Sequence, residues 1–208
     1  MRRRNDPMIR NVVFDIGGVL VGFDWPSYIK KYGFEPEKAE AISRALIYGP
    51  VWKELDRGVW TMDQLLEGFA SLAPQYREDV LKVFLNSGAC IYRQEYAIPW
   101  IKSLQSRGFH TYFLSNYSQW MIEETKQALD FLPVLEGGIF SCDVRQIKPD
   151  ADIYRTLMEH YPQITPEESV FLDDSPANVE TAKSLGFHGI VFQSYEQACA
   201  ELETLLHS

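Results

Sequence analysis

Four short polar clusters, each following an apolar run or its loop, carry the side chains best suited to chemistry. They are Asp15-Ile16-Gly17-Gly18, Ser115-Asn116, Lys148-Pro149-Asp150 and Asp173-Asp174-Ser175. Three carboxylates brought to one edge repel one another unless a cation lies between them. Hard oxygen ligands of this kind suit Mg²⁺, which keeps waters and accepts a substrate phosphate oxygen. Lys148 adds a compact positive charge, and Ser115 with the N–H groups that follow adds donors. Such a set suits an anionic phosphoryl group in a substrate and in its transition state. A carboxylate held beside the metal can attack phosphorus and form an acyl-phosphate. Gly17 and Gly18 allow a tight turn that frees a backbone carbonyl to face the cation.

The elements that must position these clusters are legible in the apolar pattern. Runs at 12–15, 110–115, 138–141, 170–173 and 189–192 are mostly rich in Val, Ile, Leu and Phe without clean polar alternation. That pattern predicts strands buried on both faces. Helical periodicity falls between them at 95–106, 119–129, 152–160 and 177–185, with Gly108 and Gly186 as C-terminal stops. The alternation predicts an α/β fold with a Rossmann-like parallel sheet and helices on both faces. Residues 24–86 break the rhythm with amphipathic helical stretches at 36–47, 62–72 and 75–86, the second with Thr61 as N-cap. An insertion directly after the first strand lies over the carboxyl ends of the sheet, where α/β folds bind ligands. The expected organisation is a core of 8–23 and 88–208, a small helical cap of 24–87, and a disordered extension of 1–7, with Met8 a candidate natural start.

Phe14-Asp15-Ile-Gly-Gly-Val-Leu20, Phe113-Leu-Ser115-Asn116, Lys148-Pro149 and Phe171-Leu-Asp173-Asp174-Ser-Pro-Ala-Asn178 together resemble the four ordered motifs of the haloacid dehalogenase superfamily. The resemblance runs over nearly the whole chain from Met8. The segment Leu55-Asp-Arg-Gly58-Val-Trp60-Thr-Met-Asp63 is similar to the subgroup holding bacterial glucose-1-phosphate phosphatase and the phosphatase domain of soluble epoxide hydrolase. It implies Asp15 as nucleophile and Mg²⁺ ligand, the Gly17 carbonyl as a second ligand, and Asp174 as a third. Asp173 is implied as a ligand or as a partner behind the ligands. Ser115, the Asn116 amide and Lys148 are implied to hold the phosphoryl group, and Asn178 to order the last loop.

One position departs from the superfamily pattern. Most of its phosphatases carry an aspartate two residues after the nucleophile, which protonates the leaving group and then activates water. Here that position is Gly17. Proton transfer of this kind contributes on the order of 10²–10⁴-fold. A substrate with a good leaving oxygen, such as a sugar 1-phosphate, suffers least from its loss. Asp24 is the one replacement considered, against a structural role at the entrance to the insertion. The expected activity is therefore a Mg²⁺-dependent phosphatase acting on a small phosphorylated metabolite. Its rivals are a metal-free carbon–halogen hydrolase and a weakened site that only binds phosphometabolites.

Composition narrows the partners. Apolar residues make up 46% and charged residues 24%, and no apolar run is long enough to span a bilayer. A net charge of −9 argues against nucleic acid. Cys90, Cys142 and Cys199 lack metal-binding spacing and read as reduced thiols of a cytoplasmic protein. Dispersed histidines argue against a zinc site of the His/Cys type. Tyr48, Trp52, Trp60 and Phe69 read mainly as core of the insertion. Oligomeric state is not legible.

Overall fold

The computed structural model describes residues 8–207. The expectation for residues 1–7 lies outside them. Five parallel strands form the main sheet: β1 (Asn11–Phe14), β4 (His110–Ser115), β5 (Gly137–Phe140), β6 (Ser169–Asp173) and β7 (His188–Val191), in the order β5-β4-β1-β6-β7. Burial explains the near-continuous apolar runs. Val12 and Phe14 join one core cluster, whereas Val13 joins another on the opposite face. Phe113 and Tyr112 divide in the same way, as do Leu172 and Phe171. Successive side chains point to opposite faces, so a strand covered on both sides must be apolar throughout. The first face is covered by α6 (Ala97–Ser106) and α11 (Tyr195–His207), the second by α9 (Ala151–His160) and α10 (Pro176–Ser184).

Between the first strand and the rest of the sheet the chain builds α1 (Trp25–Lys30), α2 (Pro36–Leu46), α3 (Pro50–Arg57), α4 (Met62–Leu72) and α5 (Arg77–Leu85). They enclose a core of their own that includes Leu46, Leu55, Phe69 and Phe84. Thr61 caps α4 as expected: its hydroxyl accepts from Gln64 N–H, and the Gln64 side chain accepts from Thr61 N–H. A small antiparallel pair, β2 (Val21–Phe23) and β3 (Ile91–Arg93), ties the two crossing segments together. Trp52, Ile91 and Trp120 pack against both this core and the sheet's, so the helical unit is joined to the sheet through apolar contact.

Two differences from the sequence reading have local causes, and the two alternatives for Asp24 are resolved. The pair β2/β3 and the short helices α1 and α3 are too brief to show a period. Asp24 is the N-cap of α1, accepting from Ser27 N–H at 3.0 Å, which gives it a structural role. The segment at 119–129 is helical only as α7 (Gln119–Glu124). There Thr125 turns its hydroxyl back to the Met121 carbonyl and pairs with the Tyr117 hydroxyl, bonds that compete with the helix ladder.

Candidate active site

β1 lies at the centre of the sheet, with Phe14 in register with Phe113 and Leu172. The pairing continues one residue further, because Asp15 N–H donates to the Leu172 carbonyl at 2.8 Å. Asp15 therefore emerges at the carboxyl edge between the ends of β4 and β6. Its Oδ1 accepts from Ile16 N–H (2.7 Å) and from the Ser115 hydroxyl (2.6 Å), and lies 2.9 Å from Lys148 Nζ. Oδ2 has no partner among the described residues. Burial pushes the carboxyl up to about 7, against the pull of the Lys148 charge.

Lys148 is 3% exposed, and its ammonium spends its donors on Asp15, on Asp173 Oδ2 at 2.6 Å and on the Leu114 carbonyl at 2.8 Å. Burial opposes its charge, but Asp15 and Asp173 outweigh that and raise its affinity for the proton. Asn116 positions it. The Asn116 side-chain amide donates to the Lys148 carbonyl and accepts from the Lys148 N–H, at 2.9 and 2.8 Å. The Asn116 side chain is thus committed to the lysine backbone.

Asp173 is fully buried and saturated. It accepts from Lys148, from Ser175 N–H and, on both oxygens, from the Asn178 Nδ2 amide. Asn178 does order the last loop as expected. Asp174 is different: it is exposed, and burial of part of its carboxyl followed by the Asp173 charge raises its pKa. Asp15, Asp173 and Asp174 each offer an oxygen within 4.8 Å of the others. With one ammonium among three carboxylates the cluster is short of positive charge, and its donors are all oxygen, which fits Mg²⁺. In the loop between, Gly18 is the position where only glycine fits beside Asp174. A Cβ on Gly18, whose φ is +72°, meets Asp174 Oδ2 at 2.4 Å, while a Cβ on Gly17 meets nothing within 4 Å.

Above the cluster lies a cavity of about 230 Å³ that Gly17, Gly18, Asn116 and Asp174 reach from the sheet. Phe23, Tyr117 and Met121 make its walls apolar, and Ile47, Trp52 and Asp56 enter from the helical unit. Of the aromatics read as core, Phe69 is fully buried, but Trp52 lines this cavity, and Tyr48 and Trp60 are exposed. Asp56 was missed by the sequence reading. Its signal was present, since an acidic residue in the last turn of a helix opposes the helix dipole and needs another reason.

Comparisons with known proteins bear on the family and the fold. The family model described as haloacid dehalogenase-like hydrolase matches residues 9–186. Mouse bifunctional epoxide hydrolase 2 is 29% identical over 94% of this chain and 38% of its own length. The D-ribitol-5-phosphate phosphatase of Bacteroides thetaiotaomicron is 24% identical over 97% of this chain and the whole of that one. A haloacid dehalogenase family enzyme of the same organism, solved with magnesium and inorganic phosphate, shares the fold. Its TM-score is 0.67 at 20% identity, with 91% of this chain and 98% of that one covered. The chain spans 19%, 37% and 38% of the length of three curated relatives that it matches.

Proposed function

Because the chain belongs to the haloacid dehalogenase-like hydrolase family, we propose that it is a Mg²⁺-dependent phosphomonoesterase working through Asp15. The observation that carries this is the nucleophile's setting. One oxygen of Asp15 is pinned by three donors, the other is free, and two further carboxylates stand beside it. A carboxylate held in one orientation attacks without first reorganising. Its attack on phosphorus gives an aspartyl-phosphate, and water then returns the carboxylate and releases inorganic phosphate. The magnesium and phosphate held by the fold relative, and the phosphatase activity named for another relative, support the same chemistry here.

Asp15, Asp174 and the Gly17 carbonyl would hold Mg²⁺, which when bound supplies positive charge beside the phosphoryl oxygens. Asp173 we assign to orienting Lys148 and the last loop, since its acceptors are already taken. Lys148 places its positive charge beside the phosphoryl group, and Ser115 can turn its hydroxyl from Asp15 Oδ1 to a phosphoryl oxygen when the substrate is bound. The helices of 24–87 act as a cap over this centre and choose the substrate.

Two substrate readings follow from two features. Gly17 favours a phosphate with a good leaving oxygen, such as a sugar 1-phosphate. The apolar walls from Phe23, Ile47, Trp52 and Met121 favour an ester whose organic part is itself apolar, because a polyol there would lose hydrogen bonds to water. Phosphate release from a panel containing sugar phosphates and alkyl phosphates ranks the two.

The test of the chemistry is Asp15→Asn with and without EDTA. The variant is expected to fold and to lose phosphate release entirely, and EDTA to abolish wild-type release. Turnover that survives both treatments overturns the scheme, and halide release surviving EDTA favours carbon–halogen hydrolysis instead. No phosphate release by the wild-type chain on any ester favours a protein that only binds.

A further inference from the structure

The absence of an acid at Gly17 leaves the leaving oxygen without a proton source on the sheet side of the cavity. We infer that Asp56, reaching in from the helical unit, is the general acid and base of this site. The inference rests on the phosphatase reading above and adds a catalytic residue to it.

Three structural facts carry it. First, α3 presents two faces one turn apart. Val51 and Leu55 are buried in the helical unit's core, whereas Trp52 and Asp56, also four residues apart, line the cavity with Gly17 and Asp174. Second, the carboxyl-terminal end of α3 is clamped to the sheet domain. The Ser141 hydroxyl donates to the Asp56 carbonyl at 2.6 Å, and Gly58, at φ +70°, comes so close that an added Cβ would lie 3.0 Å from Cys142. Asp56 is therefore held against the centre by a backbone bond. Third, its carboxyl makes no hydrogen bond or ion pair among the described residues. The adjacent cation, Arg57, lies instead near Glu54 and Asp150.

A carboxyl so placed keeps its proton. Burial and then the Asp15 charge push it up to about 8, with Lys148 pulling the other way. Asp174, Tyr117 and Cys142 are the other titratable groups around it, and none supplies a cation. The helix C-terminus, with its partial negative charge, acts in the same direction. The proton balance is simple. As an Asp15 oxygen bonds to phosphorus and the ester P–O bond breaks, the departing oxygen takes the Asp56 proton and leaves as an alcohol. The Asp56 carboxylate then takes a proton from water as that water's oxygen bonds to phosphorus. The P–O bond to Asp15 breaks, inorganic phosphate leaves, and Asp56 is again protonated.

The test compares wild type, Asp56→Asn and Asp56→Glu on 4-nitrophenyl phosphate, whose leaving oxygen departs as a stable anion, and on alkyl phosphates. With the aryl ester, Asp56→Asn is expected to give a stoichiometric burst of nitrophenolate near the wild-type rate. Steady turnover then falls about 10²–10³-fold, because water is no longer activated. With alkyl esters it is expected to lose about as much without a burst, and Asp56→Glu to recover part of both. An Asp56→Asn enzyme within about threefold of wild type on both ester classes overturns the assignment alone. So does an equal loss on both classes with no burst, which marks a structural role. A wild-type chain inactive on every ester, or unaffected by Asp15→Asn, instead overturns the phosphatase reading and the inference with it.

Discussion

At the scale of single residues, two adjacent aspartates have opposite environments. Asp173 is sealed beneath the centre and gives every acceptor to Lys148, Ser175 and Asn178. Asp174 is exposed as a residue, and partial burial of its carboxyl followed by the Asp173 charge raises its pKa. Sequence alone could not rank the pair as metal ligands, because alternation along a strand end does not say which side chain finds donors. The consequence is measurable. Mg²⁺ is expected to raise the melting midpoint of the wild-type chain, since a ligand that binds only the folded state stabilises it by mass action. Asp174→Asn should fold normally and abolish that rise, as seen by thermal denaturation with and without millimolar Mg²⁺. A full Mg²⁺ response in the variant would move the ligand role elsewhere.

At the scale of elements, the turn after β1 and the short helix α3 decide how the centre is closed. Gly18 sits at φ +72°, where a side chain costs about 1–2 kcal/mol, and its missing Cβ is space that Asp174 Oδ2 occupies. Gly18→Ala is therefore expected to weaken Mg²⁺ binding at least tenfold by calorimetric titration while the sheet stays intact. An unchanged affinity would show that the turn relaxes without moving Asp174. The strand ends themselves were legible: apolar runs closing in polar residues marked Asp15, Ser115 and Asp173 correctly. Helix α3 was not, since eight residues starting at Pro50 give no clear period. Its ends carry the signal, a proline in the first turn and Gly58 just past the last.

At the scale of the whole molecule, two cores meet at one cavity. The helical unit has its own buried cluster, in which Phe69 is fully buried and its ring lies tilted against Phe84, with centroids 4.7 Å apart. Phe69→Ala removes a large side chain from close packing and is expected to cost about 3–5 kcal/mol, read from the urea midpoint. Trp52 is 6.4 Å from Phe69 by ring centroid and also lines the cavity, so the same variant should lower affinity for apolar esters. A loss of stability with unchanged KM across the ester panel would argue that the helical unit does not shape the pocket. No helix among the described residues is long and apolar enough to cross a membrane.

The amino-acid sequence by itself determined the alternation of buried strands and helices, the helical insertion after β1, and the identity of the central side chains. Those follow from local rules, because strand burial, helix caps and the residues closing each strand are written within a few positions of one another. Only the tertiary structure decided how those side chains are used. It committed the Asn116 side chain to the Lys148 backbone, separated Asp173 from Asp174 by burial, and brought Asp56 across from α3 into the cavity that Gly17 and Asp174 line. Each of these depends on elements brought together from distant parts of the chain, where carboxylates and amides compete for the same few donors. Gly17 shows the difference best. Read along the chain it marks a missing acid, whereas in space the cavity that it lines is shared with a carboxyl from another element.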